Sequence, residues 1–588
     1  MMDLDYVGLM KRARTLAPHP DHTPVRLALL AECSTQHLSA LLRVLAADRG
    51  IALDVYEAPF GALTLEAADP TSDLYRFAPQ FTAILTQTEV LRAELTSTGT
   101  RPTVVQVCDR TVALWETLGE CLSGHLIQSS YVTPGERAFG NYERLAEHSL
   151  GSRVADINAG VITAARARRN VLIHDVDYLA GEVGRRNWVD EKLWLMAKTP
   201  CALQFLPLYA KNLVDIIAAA IGRVTKCVVL DLDNTLWGGV IGDDGLDGIR
   251  LGDLAEGEAF VTLQRFLLSL KERGILLAVS SKNEHANAVL PFERHPDMVL
   301  KLDDIAVFKA DWNDKAGNIR AIRETLNIGL DSLVFLDDNP FERNLVKGLL
   351  PEVTVPELPE DPAHYLRAIA ALNLFEATTF SDTDLERAEL YRVAARRSQA
   401  QASFDNVDDY LKSLAMKIRI ERFNAFNLPR IAQLIQRSNQ FNLCTRRYGE
   451  QACEQLMGDT DNVHPFTLTL EDRFGGHGLI SVVVLRVAGA DLEIDEYLMS
   501  CRVLKRGVES VAMNHIFDLA RHRGCTRVIG RYLPTRKNDM VREFYRGFGF
   551  ACIETGADGA TVWSLAVDDY VAQAAHMSIE STPTLIEA

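Results

Sequence analysis

The ten cysteines form no Cys-x-x-Cys pair. That excludes a zinc ribbon and argues against a disulfide scaffold; scattered thiols suit a reducing cytoplasm. No stretch approaches the ~18 uninterrupted apolar residues of a membrane span, and the apolar run near Ile216–Ile221 is short and flanked by charge. The opening MMDLDYVGLMKRARTLAPHP lacks the charged segment and apolar run of a secretion signal. Basic residues are also in deficit: 62 Lys and Arg face 79 Asp and Glu, a net charge of −17. Nucleic acid and acidic membrane surfaces attract basic patches, so neither is expected as a partner. There is no internal repeat and no low-complexity tract. The expected setting is cytoplasmic.

What is present is ordinary globular chain: 588 residues, 47% hydrophobic and 24% charged, enough for about three or four domains of roughly 100–200 residues. VRLALLA (25–31) reads as a buried strand. Gln36–Arg49 repeats leucines at helical spacing and ends at Gly50, and IALDVY (51–56) is the next strand. Thr103–Cys108 and Asn170–His174 also read as strands, so the first 222 residues suggest an α/β domain with a parallel sheet.

A second α/β unit opens at Lys226. CVVLDLD is an apolar strand ending in two acids, Phe260–Glu272 an amphipathic helix, ILLAVSS a strand, Asn318–Leu326 a helix, and SLVFLDD a strand again tipped by acids. Ligands of such sheets bind beyond the carboxyl ends of the strands. The proline- and acid-rich 351–363 marks an edge, and 364–412 reads as a polar helical connector. From about 413 a third domain carries a helix at 428–437, strands at 466–470, 479–487 and 492–498, a helix at 508–522 and a strand at 526–530.

The chemistry concentrates in VVLDLDNTLWGG (228–239). Asp231 can attack phosphorus in line, giving an aspartyl phosphate. Asp233, one residue on, can protonate the leaving oxygen and later activate water. Alone, two acids at a strand end are unremarked surface charge; their companions change the reading. Ser281 ends the next strand, where its hydroxyl can hold a phosphoryl oxygen beside Asn283 and Thr235. Lys315 can balance charge on the phosphorylated aspartate. Asp337 and Asp338 complete, with Asp231 and Asp233, an all-oxygen set suited to Mg²⁺. In this order the residues match the signature of the haloacid dehalogenase (HAD) superfamily. Only about fifty positions lie between Asp231 and Ser281, too few for a large lid, so an open site and a bulky substrate on a carrier protein are expected.

KCVVLDLDNTLWGGVIGDDG, SSKN, WNDKAGNI and VFLDDNPFERNLV resemble the FkbH-like subfamily of HAD proteins. So do YEAPFG and DPTSDLYRFAP upstream, and RSNQFNLCTRRY, MSCRVLKRGVE and YLPTRKNDMVREFYRGFGF downstream, so the resemblance spans nearly the whole chain. It implies an α/β chain of three domains. These are an SGNH-hydrolase-like domain (1–222), a HAD Rossmann-like domain with a minimal cap (223–372) and, after a helical linker (373–412), a GNAT-like α+β acyltransferase domain (413–588). It further implies an activity. The glyceryl group of 1,3-bisphosphoglycerate is taken up, dephosphorylated and loaded on the phosphopantetheine thiol of an acyl carrier protein, for polyketide extender units of the methoxymalonyl type. The alternative is a Mg²⁺-dependent phosphatase of a small phosphometabolite, with structural flanking domains.

The sequence departs from the family at several points. Ser280 stands where FkbH-like proteins often carry a cysteine as acyl acceptor. Cys501, in LMSCRVL, is the substitute candidate, at the end of a GNAT strand that splays from its neighbour and admits the pantetheine arm; a buried small hydrophobe is the other reading. Cys33 sits where the SGNH fold places its serine, but no GDS or DxxH accompanies it, so the first domain reads as scaffold or docking surface. The turn KRGVES keeps only Gly507 of a glycine-rich diphosphate loop and adds Glu509, which points to a carrier's arm rather than free CoA. Tyr545 is a candidate acid toward a leaving thiolate or a core residue. His477 and His515 are candidate bases with a structural role favoured, and His125 and His174 belong to no constellation.

Overall fold

The computed structural model describes residues 5–17, 19–97, 99–379, 406–438, 440–446, 448–458, 462–500, 503–504, 506–535, 538–556 and 558–581. The chain forms two compact units, one of residues 1–225 with 367–380, the other of 226–366 with 381–588.

The first unit is built on five parallel strands, β1 (Thr23–Ala31), β2 (Ile51–Glu57), β3 (Phe81–Leu85), β4 (His125–Ser129) and β5 (Val171–His174), in the order β2-β1-β3-β4-β5. Side chains alternate across a strand, so β1 feeds two cores. Leu27 and Leu29 join one, Ala28 and Leu30 the other. Helices cover both faces, which is why the strands read as unbroken apolar runs.

The expected strand at Thr103–Cys108 is instead the start of a helix, Val104–Cys121. Thr103 caps it: its hydroxyl accepts from the Gln106 N–H at 3.2 Å while the Gln106 side chain accepts from the Thr103 N–H at 2.9 Å. That reciprocal box at the first turn outweighs the β-branched Val-Val-x-Val run. Residues 367–380 return to this unit through a buried pair. Lys211 Nζ lies 2.5 Å from Asp215 Oδ2 and donates to the Leu372 carbonyl at 2.9 Å, and Asn373 donates to Asp215 at 3.1 Å. Of the connector expected at 364–412, Tyr365–Ala370 and Val407–Ser413 are helical, and 380–405 lie outside the described residues.

Residues 226–366 hold four parallel strands, β6 (Cys227–Leu230), β7 (Leu276–Ser281), β8 (Ile305–Ala310) and β9 (Leu333–Leu336), ordered β8-β7-β6-β9. Cys227, Val229, Leu276, Ala278, Leu333 and Phe335 pack with Ile319, Ile322 and Val346 of two covering helices. Residues 231–275 contain only a loop and the helices Ile241–Gly248 and Glu256–Glu272, so the small cap expected from the spacing is found and no domain-sized lid intervenes.

The C-terminal sheet is mixed. Its strands are β10 (Met416–Arg422), β11 (Phe441–Asn442), β12 (Val463–Asp472), β13 (Gly475–Ala488), β14 (Asp491–Met499), β15 (Arg527–Tyr532), β16 (Ala551–Thr555), β17 (Thr561–Ala566) and β18 (Met577–Ser581). The order is β16-β17-β15-β14-β13-β12-β10-β18, with β11 on β14. Pairing is antiparallel except β14 with β15 and β10 with β18. The chain is therefore mixed α/β across several domains. Among the described residues no helix is long and apolar enough to cross a membrane.

Candidate active site

The strand ends of the four-stranded sheet bring distant residues together. β6 stops at Leu230 and delivers Asp231, whose N–H donates to the Leu336 carbonyl at 2.9 Å, locking it beside the end of β9. β9 delivers Asp337 and Asp338. β7 ends in Ser281. Lys315 is the first residue of the helix Lys315–Leu326, set there by its cap: Asp314 accepts from the Gly317 N–H at 2.7 Å.

These side chains meet. Lys315 Nζ lies 2.9 Å from Asp231 Oδ1 and 2.5 Å from Asp337 Oδ2, and all three are almost fully buried. Asp231, Asp337 and Asp338 each offer a carboxylate oxygen within 4.8 Å of the others. Two buried acids and a half-buried one facing one lysine leave an excess of negative charge. Burial raises the Asp231 carboxyl above its ordinary value, and Asp337 adds to this while Lys315 and Ser281 oppose it. Burial likewise raises Asp337 and, with Asp231 next in weight, carries Asp338 up to about 6. Burial works to lower Lys315, but Asp231 and Asp337 outweigh it and the net shift is upward. The ammonium stays charged and the acids still want a cation. A compact set of hard oxygen donors short of positive charge fits Mg²⁺.

The Asp233 carboxylate stands outside that trio, contrary to its expected place among the metal's carboxylates. Oδ1 accepts from Trp237 Nε1 and from the Ile241 N–H, both at 3.0 Å, and Oδ2 from Asn283 Nδ2 at 2.8 Å. Its oxygens are oriented by the loop, which suits proton transfer. Asn283 also reaches Ser281 Oγ at 3.2 Å, and Ser281 hydrogen-bonds Asp231. Thr235 is fully buried; its hydroxyl accepts from the Asp338 N–H at 3.2 Å and so ties the Asp231 loop to the β9 loop. Asn234 takes a left-handed φ of 53° in that loop, and its side chain accepts from the Gly239 N–H at 2.8 Å.

Sequence reasoning missed Arg343. It is buried, with Nη1 donating to the carbonyls of Asp337 at 2.8 Å and Asp338 at 2.6 Å. Trp237, clamping Asp233, and Tyr365, donating to the Asn234 carbonyl at 3.1 Å, were missed as well. None belongs to a spacing pattern; only the fold brings them in.

The other candidates fall elsewhere. Cys501 lies outside the described residues. Ser280 is fully buried. Cys33 is buried and its thiol is pushed up to about 12 by burial and then by Glu32, so it is no nucleophile as it stands. Tyr545 is fully buried in the C-terminal core, its hydroxyl pushed far up by burial, which makes it a core residue rather than an acid toward solvent. The expected opening between β14 and β15 is closed by the chain itself. Their pairing ends at Ile494 and Gly530, and beyond it Leu443 donates to the Tyr497 carbonyl at 3.0 Å while accepting from the Leu533 N–H at 2.8 Å. His477 lies buried, 3.0 Å from Asp472. His515 packs on Phe466, and burial lowers it to about 4. His174 is buried and lowered to about 3 by the same cause, and burial also lowers His125.

Comparison with known proteins identifies the family. Residues 26–218 match the family described as FkbH, N-terminal domain. A solved structure from Bacteroides fragilis, the N-terminal part of protein BF1531 containing a phosphatase domain complexed with Mg, is 38% identical. The match covers 64% of this chain and 99% of that one, with a TM-score of 0.60. The Escherichia coli ribosomal-protein-S18-alanine N-acetyltransferase is 15% identical over 26% of this chain and 94% of its own, with a TM-score of 0.20, too low to carry weight. No curated protein matches the chain. The chain belongs to the FkbH-like family, with a HAD-type phosphatase domain built on the Asp231 strand.

Proposed function

We propose that the chain is a bifunctional enzyme that takes the glyceryl group from 1,3-bisphosphoglycerate, removes its phosphate ester at Asp231, and loads the group on the phosphopantetheine thiol of an acyl carrier protein. The observation that carries the phosphatase half is Lys315, at a helix start, held between Asp231 and Asp337, with Asp338 beside them, at the ends of two neighbouring parallel strands. The Mg²⁺ bound by the BF1531 phosphatase domain supports Asp231, Asp337 and Asp338 as its holders here. When bound, it supplies positive charge against the phosphoryl oxygens.

The residues divide the work. An Asp231 carboxylate oxygen attacks phosphorus and the bond from phosphorus to the glyceryl oxygen breaks. Asp233 gives its proton to that leaving oxygen. Its Oδ1 takes two donors and Oδ2 one, so Oδ2 has the capacity left for the proton. Lys315 and Ser281 steady the charge on the phosphoryl group. Water, deprotonated by Asp233, then attacks the aspartyl phosphate and inorganic phosphate departs. At the other end of the donor the acyl phosphate is already activated: the carrier thiol attacks the acyl carbon, the acyl–oxygen bond breaks and phosphate leaves.

A carrier-borne substrate is supported by the open cap and by exposed apolar side chains. Leu254, between the two cap helices, Trp312, on the loop after β8, and Phe341, in the first turn of the helix after β9, are 85%, 77% and 68% exposed. Large exposed apolar residues on segments that follow the strands suit docking of a protein.

The test is intact-protein mass spectrometry of a phosphopantetheinylated carrier incubated with the full chain, Mg²⁺ and 1,3-bisphosphoglycerate. A glyceryl increment on the carrier is expected. No increment with several carriers, alongside rapid phosphate release from small esters, replaces this reading with that of a plain phosphatase.

A further inference from the structure

We infer that Lys282 decides which phosphate esters the Asp231 site accepts, by holding a second anionic group of the substrate, a carboxylate or a further phosphate, while the ester phosphate lies at Asp231. The inference rests on the reading of Asp231 as the phosphatase site. Lys282 follows β7 directly, between Ser281, which hydrogen-bonds Asp231, and Asn283, which holds Asp233. Its Nζ lies 2.7 Å from Oε1 of Glu342, in the first turn of the helix that follows β9. β7 and β9 flank β6 on either side. The pair therefore spans about 10 Å of sheet and crosses the end of the strand that delivers Asp231.

Glu342 fixes the place of the ammonium. Its side chain is 7% exposed, and among the described residues its Oε2, also buried, meets no hydrogen-bond donor. A buried carboxylate is costly unless it is paired, so Lys282 is bound to stay with it. Lys282 itself remains 36% exposed. Of the three N–H donors of an ammonium, Glu342 Oε1 takes one, and the others are left for what enters from solvent. A lysine so anchored is in position before a ligand arrives, whereas a free one loses side-chain freedom on binding.

Neither of the buried cations can take that part. Lys315 is 4% exposed and lies between Asp231 and Asp337. Arg343 is spent on the carbonyls of Asp337 and Asp338. A phosphate monoester with a neutral remainder has nothing for Lys282 to hold. One with a carboxylate or a second phosphate close to the ester brings an acceptor for the donors that Glu342 leaves, and a charge-assisted bond forms. The class selected is therefore that of small phosphorylated acids and bisphosphates.

The test is calorimetric binding to the full chain carrying Asp231→Asn, with Mg²⁺, so that no ester turns over. The probes are 3-phosphoglycerate and glycerol 3-phosphate, which differ only in a carboxylate replacing a hydroxymethyl group, and propane-1,3-diyl bisphosphate, which brings a second phosphate instead. 3-Phosphoglycerate, the bisphosphate or both should bind about tenfold tighter or more than glycerol 3-phosphate, and whichever does so names the second group. Adding Lys282→Met with Glu342→Gln removes the ammonium without stranding a carboxylate. It should abolish the preference and leave the binding of glycerol 3-phosphate unchanged, while Lys282→Arg should keep most of the preference. Equal affinity for all three probes, or a preference that survives the double replacement, overturns the assignment. So does an equal loss of all three in that chain and in Lys282→Gln, the mark of a purely structural pair. Binding read this way is independent of turnover: a wild-type chain that releases no phosphate would refute the phosphatase reading, and the comparison would still decide the role of Lys282.

Discussion

Replacing Arg343 by methionine should raise the Mg²⁺ requirement of phosphate release without destroying the chemistry. The guanidinium is 4% exposed and touches no reacting group. It holds the backbone carbonyls of Asp337 and Asp338 at 2.8 and 2.6 Å. Its other contact, Glu357, has a side chain 64% exposed, and a pair so open to solvent contributes little. The effect therefore rests on two hydrogen bonds from a buried charge, each about 1.5–3 kcal/mol. Part of that is spent on relaxation of the loop, and the remainder appears as poorer placement of the two carboxylates. Loss of such supporting contacts typically lowers metal affinity ~10–100-fold, which is about 1.4–2.7 kcal/mol and fits within the two bonds. The assay is phosphate release from a small monoester across a Mg²⁺ titration. The half-saturating Mg²⁺ should rise ~10–100-fold in Arg343→Met, with most of the rate regained at saturation, and Arg343→Lys should fall between. An unchanged Mg²⁺ requirement, or a lost rate that no Mg²⁺ restores, would refute the reasoning.

Asp338 gives a pH dependence with a definite sign. Its folded pKa is raised from 3.8 to about 6, so between those values the folded chain holds a proton that the unfolded chain has released. Stability tied to that proton is present at low pH and lost as pH rises through about 6. Without Mg²⁺, the melting of wild type should therefore fall relative to Asp338→Asn as pH rises from about 4 to about 6 and level off above, and an unchanging difference between the two across that range would contradict this. Phosphate release should decline below pH 6, where the protonated group no longer serves a metal; a flat profile down to pH 5 would count against Asp338 as a ligand. Lys315→Met should lower phosphate release by more than about a hundredfold, the scale on which removal of an electrostatic stabiliser acts, and rates within tenfold of wild type would dismiss its role. Gly530→Ala should destabilise the C-terminal domain by about 1–3 kcal/mol or more, because the new Cβ would lie 2.3 Å from Tyr545 Cε1. Limited proteolysis of 413–588 reads this out, and wild-type resistance would show that Tyr545 can move aside.

The strand-tip chemistry was legible because its signal is local. CVVL is apolar on both faces, Asp231 must follow at its end, and the same holds for Ser281 after LLAVS and for Asp337 after LVFL. Lys315 was legible through the WNDKAGNI motif, while the helix expected from Asn318 in fact begins three residues earlier, at Lys315 itself, behind the Asp314 cap. The loops were harder. Asp233 reads as a metal carboxylate beside Asp231, yet adjacent side chains diverge as the chain turns, and the indole of Trp237 claims it. Arg343 sits on an amphipathic helix, where an arginine ordinarily points to water; only the return of that helix over the β9 loop buries it. The Thr103 strand failed for a different reason. Its valines favour a pleated surface, but the cap box at its first turn and the packing of Val107 and Trp115 in the second core decide for helix. The plug between β14 and β15 lay beyond any reading of spacing, since it joins residues near 443 to those near 533.

The central claim is that Asp231 itself takes the phosphoryl group, and trapping it is the most direct measurement. Asp233→Asn should form the phosphorylated chain but lose the base that hydrolyses it. Acid-quenched intact mass spectrometry of that variant with Mg²⁺ and a phosphate ester should show one phosphoryl increment, located on Asp231 by fragmentation and missing in the Asp231→Asn, Asp233→Asn double variant. An increment that persists in the double variant, or that maps to another residue, would contradict the account.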